Sequence, residues 1–245
     1  SFGRFNTFEA DGFVSGPVAD GLSVRAAVGT TISGPWQYNY NRDEKLGRQD
    51  KLQGRFQAAF EPSDRMSFLL SVNGWRDKSD TQAGQFQGLY LQIDETAVAA
   101  GGLFDPEEVL RRIAAFRALE PAPDNARAAD WDSNRDLRRD DGFYQISLRS
   151  DFELTGDITL TSITAYSSYN ENYSVDRDGT SLINAGVNAD GTVDSFSQEI
   201  RLAGETGIFN WLIGGFYMSD KIDYQSQWTS WAARTIYHNV HNQRR

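Results

Sequence analysis

The stretch FYQISLRSDFEL, residues 143–154, decides how the whole chain reads. Tyr144, Ile146, Leu148, Phe152 and Leu154 share one phase of a two-residue period, while Gln145, Ser147, Arg149, Asp151 and Glu153 share the other. Successive side chains of a strand point to opposite faces, so this alternation describes a strand whose two faces meet different solvents. Working outward, residues 5–15, 22–33, 51–60, 66–76, 158–169, 196–202 and 209–217 follow the same pattern, which makes about eight strands. Leu160 and Ile163 fall in opposite phases, so a bulge or a shifted phase is expected between them.

The connections alternate in length. Residues 16–21, 61–65, 155–157 and 204–207 are short and carry the glycine, proline, aspartate and serine of tight turns. Residues 34–50, 78–141 and 174–193 are long and polar. In an antiparallel meander that alternation places every short turn on one rim and every long loop on the other. With strands of about ten residues, this is the pattern of a transmembrane β-barrel, whereas a soluble sandwich has shorter strands and less loop asymmetry.

Composition removes other classes. The chain has 245 residues, a net charge of -10, 39% hydrophobic residues and no cysteine. No run reaches the roughly 18 apolar residues of a spanning helix, and the most apolar stretch, near residues 97–104, is short. The acidic balance argues against a nucleic-acid partner. Absence of cysteine excludes a disulfide scaffold, a thiolate metal site and a cysteine nucleophile, and it is compatible with an envelope protein. Ser1 opens the chain without an initiator methionine or a signal peptide, so the expectation is that processing or truncation removed the true start.

Catalytic chemistry finds little support. His238 and His241 have the spacing that converges on a helix, but no HExxH glutamate accompanies them. Residues 188–194 with Glu199 mimic a calcium loop, yet Val193 stands where an EF-hand needs glycine. Neither an enzyme, a metal site nor a cofactor is expected.

The segments RFNTFEADGFVSGPVADGLSVRAAV (residues 4–28), GRFQAAFEPSDRMSFLLSVNGWRDKSDTQ (54–82), FSQEIRLAG (196–204) and NWLIGGFY (210–217) resemble the TonB-dependent receptors of Gram-negative outer membranes. The resemblance implies an all-β, antiparallel up-and-down barrel of about 22 strands, preceded by a plug domain and energised through a TonB-type complex. It further implies uptake of a scarce nutrient, most often a ferric siderophore. The turn at Ser15-Gly16-Pro17 is similar to an early periplasmic turn, with the strand from Phe5 running inward. No plug sequence or TonB box precedes Ser1, and His241-Asn242-Gln243-Arg244-Arg245 lacks the terminal aromatic strand of the family. The expectation is therefore a partial barrel domain over residues 1–245, starting near the second strand, with the plug absent.

Lumen-facing, plug-contacting positions are expected at Glu9, Arg25, Arg55, Arg149, Glu199 and Arg201, alongside Asp11, Gln57, Asn73 and Asp151; a salt-bridged wall facing water accounts for them equally. Ligand contact is expected from loop aromatics, which bring contact area at low entropy cost: Trp36, Tyr38, Tyr40, Trp131, Trp228 and Trp231. Interfacial girdles and loop packing use the same residues. In the longest loop, about 79–141, Asp105 as N-cap, Pro106 and Glu108 predict a helix to about Leu119 with Val109, Leu110, Ile113 and Phe116 on one face. Such a helix serves as a lid over the mouth or as a packed insertion. Two other classes stay open: a smaller passive pore or adhesin barrel, and a soluble β-rich carbohydrate-binding or hydrolytic protein.

Overall fold

A computed structural model describes residues 1–89, 105–230 and 234–244. In chain order its elements are β1 (Phe2–Gly3), β2 (Thr7–Ala19), β3 (Leu22–Ser33), β4 (Gln37–Asn39), β5 (Lys45–Leu46), β6 (Gln49–Ser63), β7 (Met66–Asp77), α1 (Pro106–Arg117), β8 (Ala128–Ala129), β9 (Asp141–Thr155), β10 (Ile158–Asp176), β11 (Gly186–Thr206), β12 (Phe209–Ser230) and β13 (Arg234–Arg244). Among the described residues ten strands form one sheet in the order β1-β2-β3-β6-β7-β9-β10-β11-β12-β13, and every neighbouring pair is antiparallel. β5, β4 and β8 make a small second sheet.

All eight expected strands are present, and the expected rims follow from the meander. Four two-residue turns, Asp20-Gly21, Asp64-Arg65, Gly156-Asp157 and Gly207-Ile208, share one rim, and the long connections share the other. Three expectations are corrected. Ser15, Gly16 and Pro17 lie inside β2; the ladder slips between Pro17 and Ala19, and the turn itself falls at Asp20-Gly21. Gly21 sits at φ +68°, and a Cβ there would stand 2.4 Å from the Glu61 carbonyl oxygen, so this turn needs glycine to reach the next one. The loop expected over 174–193 shrinks to 177–185, because β10 and β11 stay paired up to Asp176 and Gly186. Residues 234–244, which held none of the eight expected strands, form β13, paired with β12.

Rungs across the sheet show how the faces divide. One rung joins Ala58, Leu70, Leu148, Thr164, Gln198 and Tyr217, and the rung two positions on joins Phe56, Val72, Ile146, Tyr166, Phe196 and Ser219. Phe68 with Ile200, and Phe152 with Leu202, lie on this same apolar face. The intervening rungs carry Arg25, Gln57, Ser71, Ser147, Ala165 and Ser197, then Arg55, Asn73, Gln145, Ser167, Ser195 and Asp220. Phe68, Leu70, Val72, Ile146, Leu148, Ile200 and Leu202 thus stand opposite Arg55, Ser71, Arg149, Glu199 and Arg201, as the period of two demands. No bulge separates Leu160 from Ile163: the ladder is continuous there, and Ile163 stands between Arg149 and Glu199 on the polar face.

Among the described residues the wall has no packed core of its own. Apart from Val187 and Ala189 near the top of β11, the buried apolar side chains lie in the loops, with Leu46, Ala83, Ala129, Trp131 and Leu137 as one cluster. Ile146, Leu148 and Ile200 remain 41–51% exposed. A single-layer sheet with such a face is held by its ladder, while the loop rim carries the only conventional core among the described residues.

Candidate functional site

The polar face is a wall of short-range pairs. Arg149 Nε donates to Asp151 at 2.7 Å, and the Thr161 hydroxyl donates to the same carboxylate at 2.6 Å. Arg201 Nε donates to Glu199 at 2.5 Å. Gln57 reaches Ser71 at 3.3 Å and Asn73 reaches Gln145 at 3.3 Å, each across one rung. The Arg25 guanidinium lies 5.0 Å from the Phe13 ring centre. Glu9, Arg25, Arg55, Arg149, Glu199 and Arg201 all fall on this face by register, as do Asp11, Gln57, Asn73 and Asp151. Paired charges on a water-facing wall hold a hydrated surface without committing it to one ligand.

Above the wall, the two longest described loops join into a cap. β4 pairs with β5 antiparallel and with β8 in parallel, Tyr38 opposite Ala128 and Asn39 opposite Ala129. The hub of this cap is Asp130, 1% exposed. Its carboxylate accepts from Asn39 at 2.7 Å, Asn41 and Arg42 at 2.9 Å each, and the Trp131 backbone N–H at 2.8 Å. A buried carboxylate is tolerated because a guanidinium and three further donors replace its water. Gln37 adds a two-way amide clasp, donating to the Ala83 carbonyl at 3.0 Å and accepting from the Ala83 N–H at 3.1 Å.

The predicted loop aromatics divide by environment. Trp36, Tyr38 and Tyr40 flank or lie on β4 and are half-buried. The Trp36 carbonyl accepts from Arg127 at 2.8 Å, the Tyr38 hydroxyl accepts from Asn125 at 3.3 Å, and the Tyr40 hydroxyl donates to the Glu120 carbonyl at 3.0 Å. Trp131 is a correction: at 5% exposure it belongs to the apolar cluster of the cap, and its ring offers no surface to a ligand. Trp228 is 46% exposed, with the Arg177 guanidinium 5.6 Å from its ring. Trp231 lies outside the described residues. His238 and His241 are on β13, a strand, so the helical geometry that would bring that spacing together is not present.

Helix α1 forms where its cap predicts. Asp105 accepts from the Glu107 N–H at 3.1 Å, Pro106 occupies the first turn, and Arg111 and Arg112 pair with Glu108. Val109 and Ile113 are buried and Phe116 meets Phe86 at 6.2 Å between ring centres. Leu110 is corrected to the outside at 37% exposure, because the buried side of the helix is formed by Val109 and Ile113, with Phe116 half-buried.

A second buried acid orders the loop between β10 and β11. Asp176, 4% exposed, accepts from the backbone N–H groups of Asp132 at 2.8 Å, Asp178 at 3.0 Å and Gly179 at 3.2 Å. Burial pushes its pKa up to about 6, the Asp178 carboxylate adds to the rise, and the three N–H groups oppose it. A folded-state pKa above the unfolded one means that stability present below the unfolded value is lost as pH rises through about 6. Hydrogen exchange in residues 177–185, corrected for intrinsic rates, is therefore expected to show the loop about 1 kcal/mol less stable at pH 7.5 than at pH 5. Asp176→Asn should remove most of that dependence; an unaltered pH slope in this variant would assign the effect elsewhere.

Asp130, Gln37, Arg42 and Asp176 escape sequence reasoning. Of these only Asp176 has a local signal, the D-x-D-G turn of Asp176, Asp178 and Gly179. The side-chain partners of Asp130 lie about ninety positions away.

No family model matches the chain, and no curated protein sequence matches it. Solved structures share its fold. The siderophore receptor PiuA from Acinetobacter baumannii superposes with a TM-score of 0.62 at 13% identity, over 92% of this chain and 30% of that one. The ferric yersiniabactin uptake receptor FyuA from Yersinia pestis gives 0.61 at 12% identity, over 93% and 30%. The ferric citrate transporter FecA in its unliganded form gives 0.61 at 9% identity, over 98% and 31%. The fold is that of the barrel wall of TonB-dependent outer-membrane receptors, and the chain spans about 30% of the length of these structures.

Proposed function

We propose that this chain is a wall-and-loop segment of a Gram-negative outer-membrane receptor that imports a small organic ligand, a ferric siderophore or a compound of similar size, without catalysing a reaction. The observation that carries this reading is the rung-by-rung division of the sheet into an apolar and a polar face, which serves a wall between lipid and a hydrated lumen. The lumenal positions Glu9, Arg25, Arg55, Arg149, Glu199 and Arg201 face a plug domain of the same full-length protein, and energy reaches that plug through a TonB-type complex. A self-contained pore is disfavoured because β2 and β13 do not pair among the described residues, so the sheet does not close on itself.

Ligand selection falls to the loop rim, where Trp36, Tyr38, Tyr40 and Trp228 combine ring area with partial exposure, and where α1 acts as a lid. Joint replacement of Trp36, Tyr38 and Tyr40 by alanine in the full-length receptor should weaken ligand binding by on the order of 1–4 kcal/mol. A Tyr38→Phe, Tyr40→Phe double variant keeps the rings while losing both hydroxyl bonds, and should retain most of the affinity. Uptake and binding are the readouts, with heat-modifiable gel mobility as the control for assembly. Unchanged uptake in an assembled alanine variant would leave these rings with a packing role alone.

A further inference from the structure

The apolar face of the sheet ends abruptly on the loop side. Tyr166 and Phe196 form its last apolar rung on β10 and β11, and the next rung pairs Ser168 with Asp194 and Lys221. From there the same face carries Asn170, Thr192 and Asp223, then Asn172, Asp190 and Gln225, then Ser174, Asn188 and Gln227. These positions continue the lipid-facing phase, yet none of them is apolar. Four rungs span roughly 20 Å of extended strand, so the polar extension stands beside whatever lies immediately outside the hydrocarbon layer.

This surface is a groove. Residues 132–138 lie beside β10 above the end of its pairing with β9, where the Ser174 N–H donates to the Arg138 carbonyl at 2.9 Å, and they enclose about 490 Å³ with the rungs of β10 to β12. Its floor is an amide and carboxylate ladder: Asn172 donates to Asp190 at 2.7 Å, Ser174 donates to Asn188 at 2.7 Å, and Arg135 donates to Asn188 at 2.9 Å. Two cations line the groove, Arg138, paired with Asp136 at 3.0 Å, and Arg135, and they stand beside the carboxylates of Asp132, Asp136 and Asp190. Amides and carboxylates with fixed orientation suit hydroxyl groups, which both donate and accept, and three carboxylates against two guanidiniums in the lining make the groove a poor site for phosphate.

We propose that this outward groove binds the neutral sugar units of the glycolipids that form the outer leaflet around the receptor. The inference rests on the outer-membrane reading above and adds a partner outside the lumen. Sugar chains projecting from the lipid surface are the hydroxyl-rich matter at that height on that face, and their contact would hold the tall β10–β12 extension upright beside the membrane.

The test uses the full-length receptor in detergent micelles with a core oligosaccharide freed of lipid and phosphate as the probe. Saturation-transfer NMR should detect binding, and an Asn172→Ala, Asn188→Ala double variant should weaken it at least fivefold. Because that variant also breaks ladder bonds, Gln225→Ala, which removes no side-chain hydrogen bond among the described residues, is the second variant and should weaken it about threefold with unchanged gel mobility. Gln57→Ala on the opposite face should have no effect. In nanodiscs the receptor should retain glycolipid bearing these sugars and release glycolipid trimmed to its phosphorylated base; equal retention of both would overturn the proposal in favour of a phosphate or acyl contact. Absence of transfer to the neutral sugar, or equal transfer in all variants, would overturn it as well. A receptor that stays folded only in detergent while failing these tests sinks the groove alone, whereas one that is soluble and folded in buffer sinks the outer-membrane reading.

Discussion

Asp130→Ala is expected to release the loop cap while leaving the barrel wall assembled. The substitution strips Asn39, Asn41 and the Trp131 N–H of their acceptor and leaves the Arg42 guanidinium without its buried partner. Breaking a buried pair on one side costs on the order of 3–5 kcal/mol, because the remaining charge stays desolvated. Arg42 keeps Glu44 at 3.1 Å and the Trp131 carbonyl at 2.6 Å, and its side chain is 25% exposed, so the lower end of that range applies. Hydrogen exchange at the β4 and β8 amides should accelerate by roughly two orders of magnitude, at 1.4 kcal/mol per tenfold. Amides of β6, β7 and β9 should keep their protection, since their bonds belong to the wall ladder. Asp130→Asn, which preserves shape and one acceptor, should fall between the two. Equal protection of β4 in wild type and Asp130→Ala would mean that the apolar cluster around Trp131 holds the cap by itself.

The second large effect separates neighbouring residues of one strand. Leu148→Arg should destabilise the wall by about 2–4 kcal/mol in lipid, the cost of an arginine on the lipid face near mid-membrane. Ser147→Arg should cost at most about 1 kcal/mol, because the lumenal face is hydrated. Leu148 shares its rung with Leu70, midway along the apolar band between Phe152 and Tyr144, while Ser147 shares the next rung with Ser71 and Ala165. Urea unfolding of the full-length receptor from vesicles measures both. Equal costs, or the reverse order, would remove the physical basis for assigning the two faces to lipid and lumen.

The wall was legible from the amino-acid sequence because its two faces differ in polarity residue by residue. Where one face of a strand is apolar and the other polar, every second residue changes character, so Ile146 and Leu148 against Ser147 and Arg149 disclose strand and face together. The turn chemistry between strands and the Asp105-Pro106 helix start were legible for a similar reason, since both depend on residues within a few positions of one another. Beyond the apolar band that code stops. The upper halves of β10 and β11 carry polar residues on the outward face, so alternation vanishes and the segment reads as loop until its ladder is seen. The cap was equally hidden: Tyr38 meets Ala128 and Asn39 meets Asp130 across some ninety residues, and no period in either segment specifies that meeting. Burial of Trp131 in place of a ligand-facing role, and the charge of Asp130 sustained among four donors, are decided by which loops fold onto each other, and only the tertiary structure makes that choice.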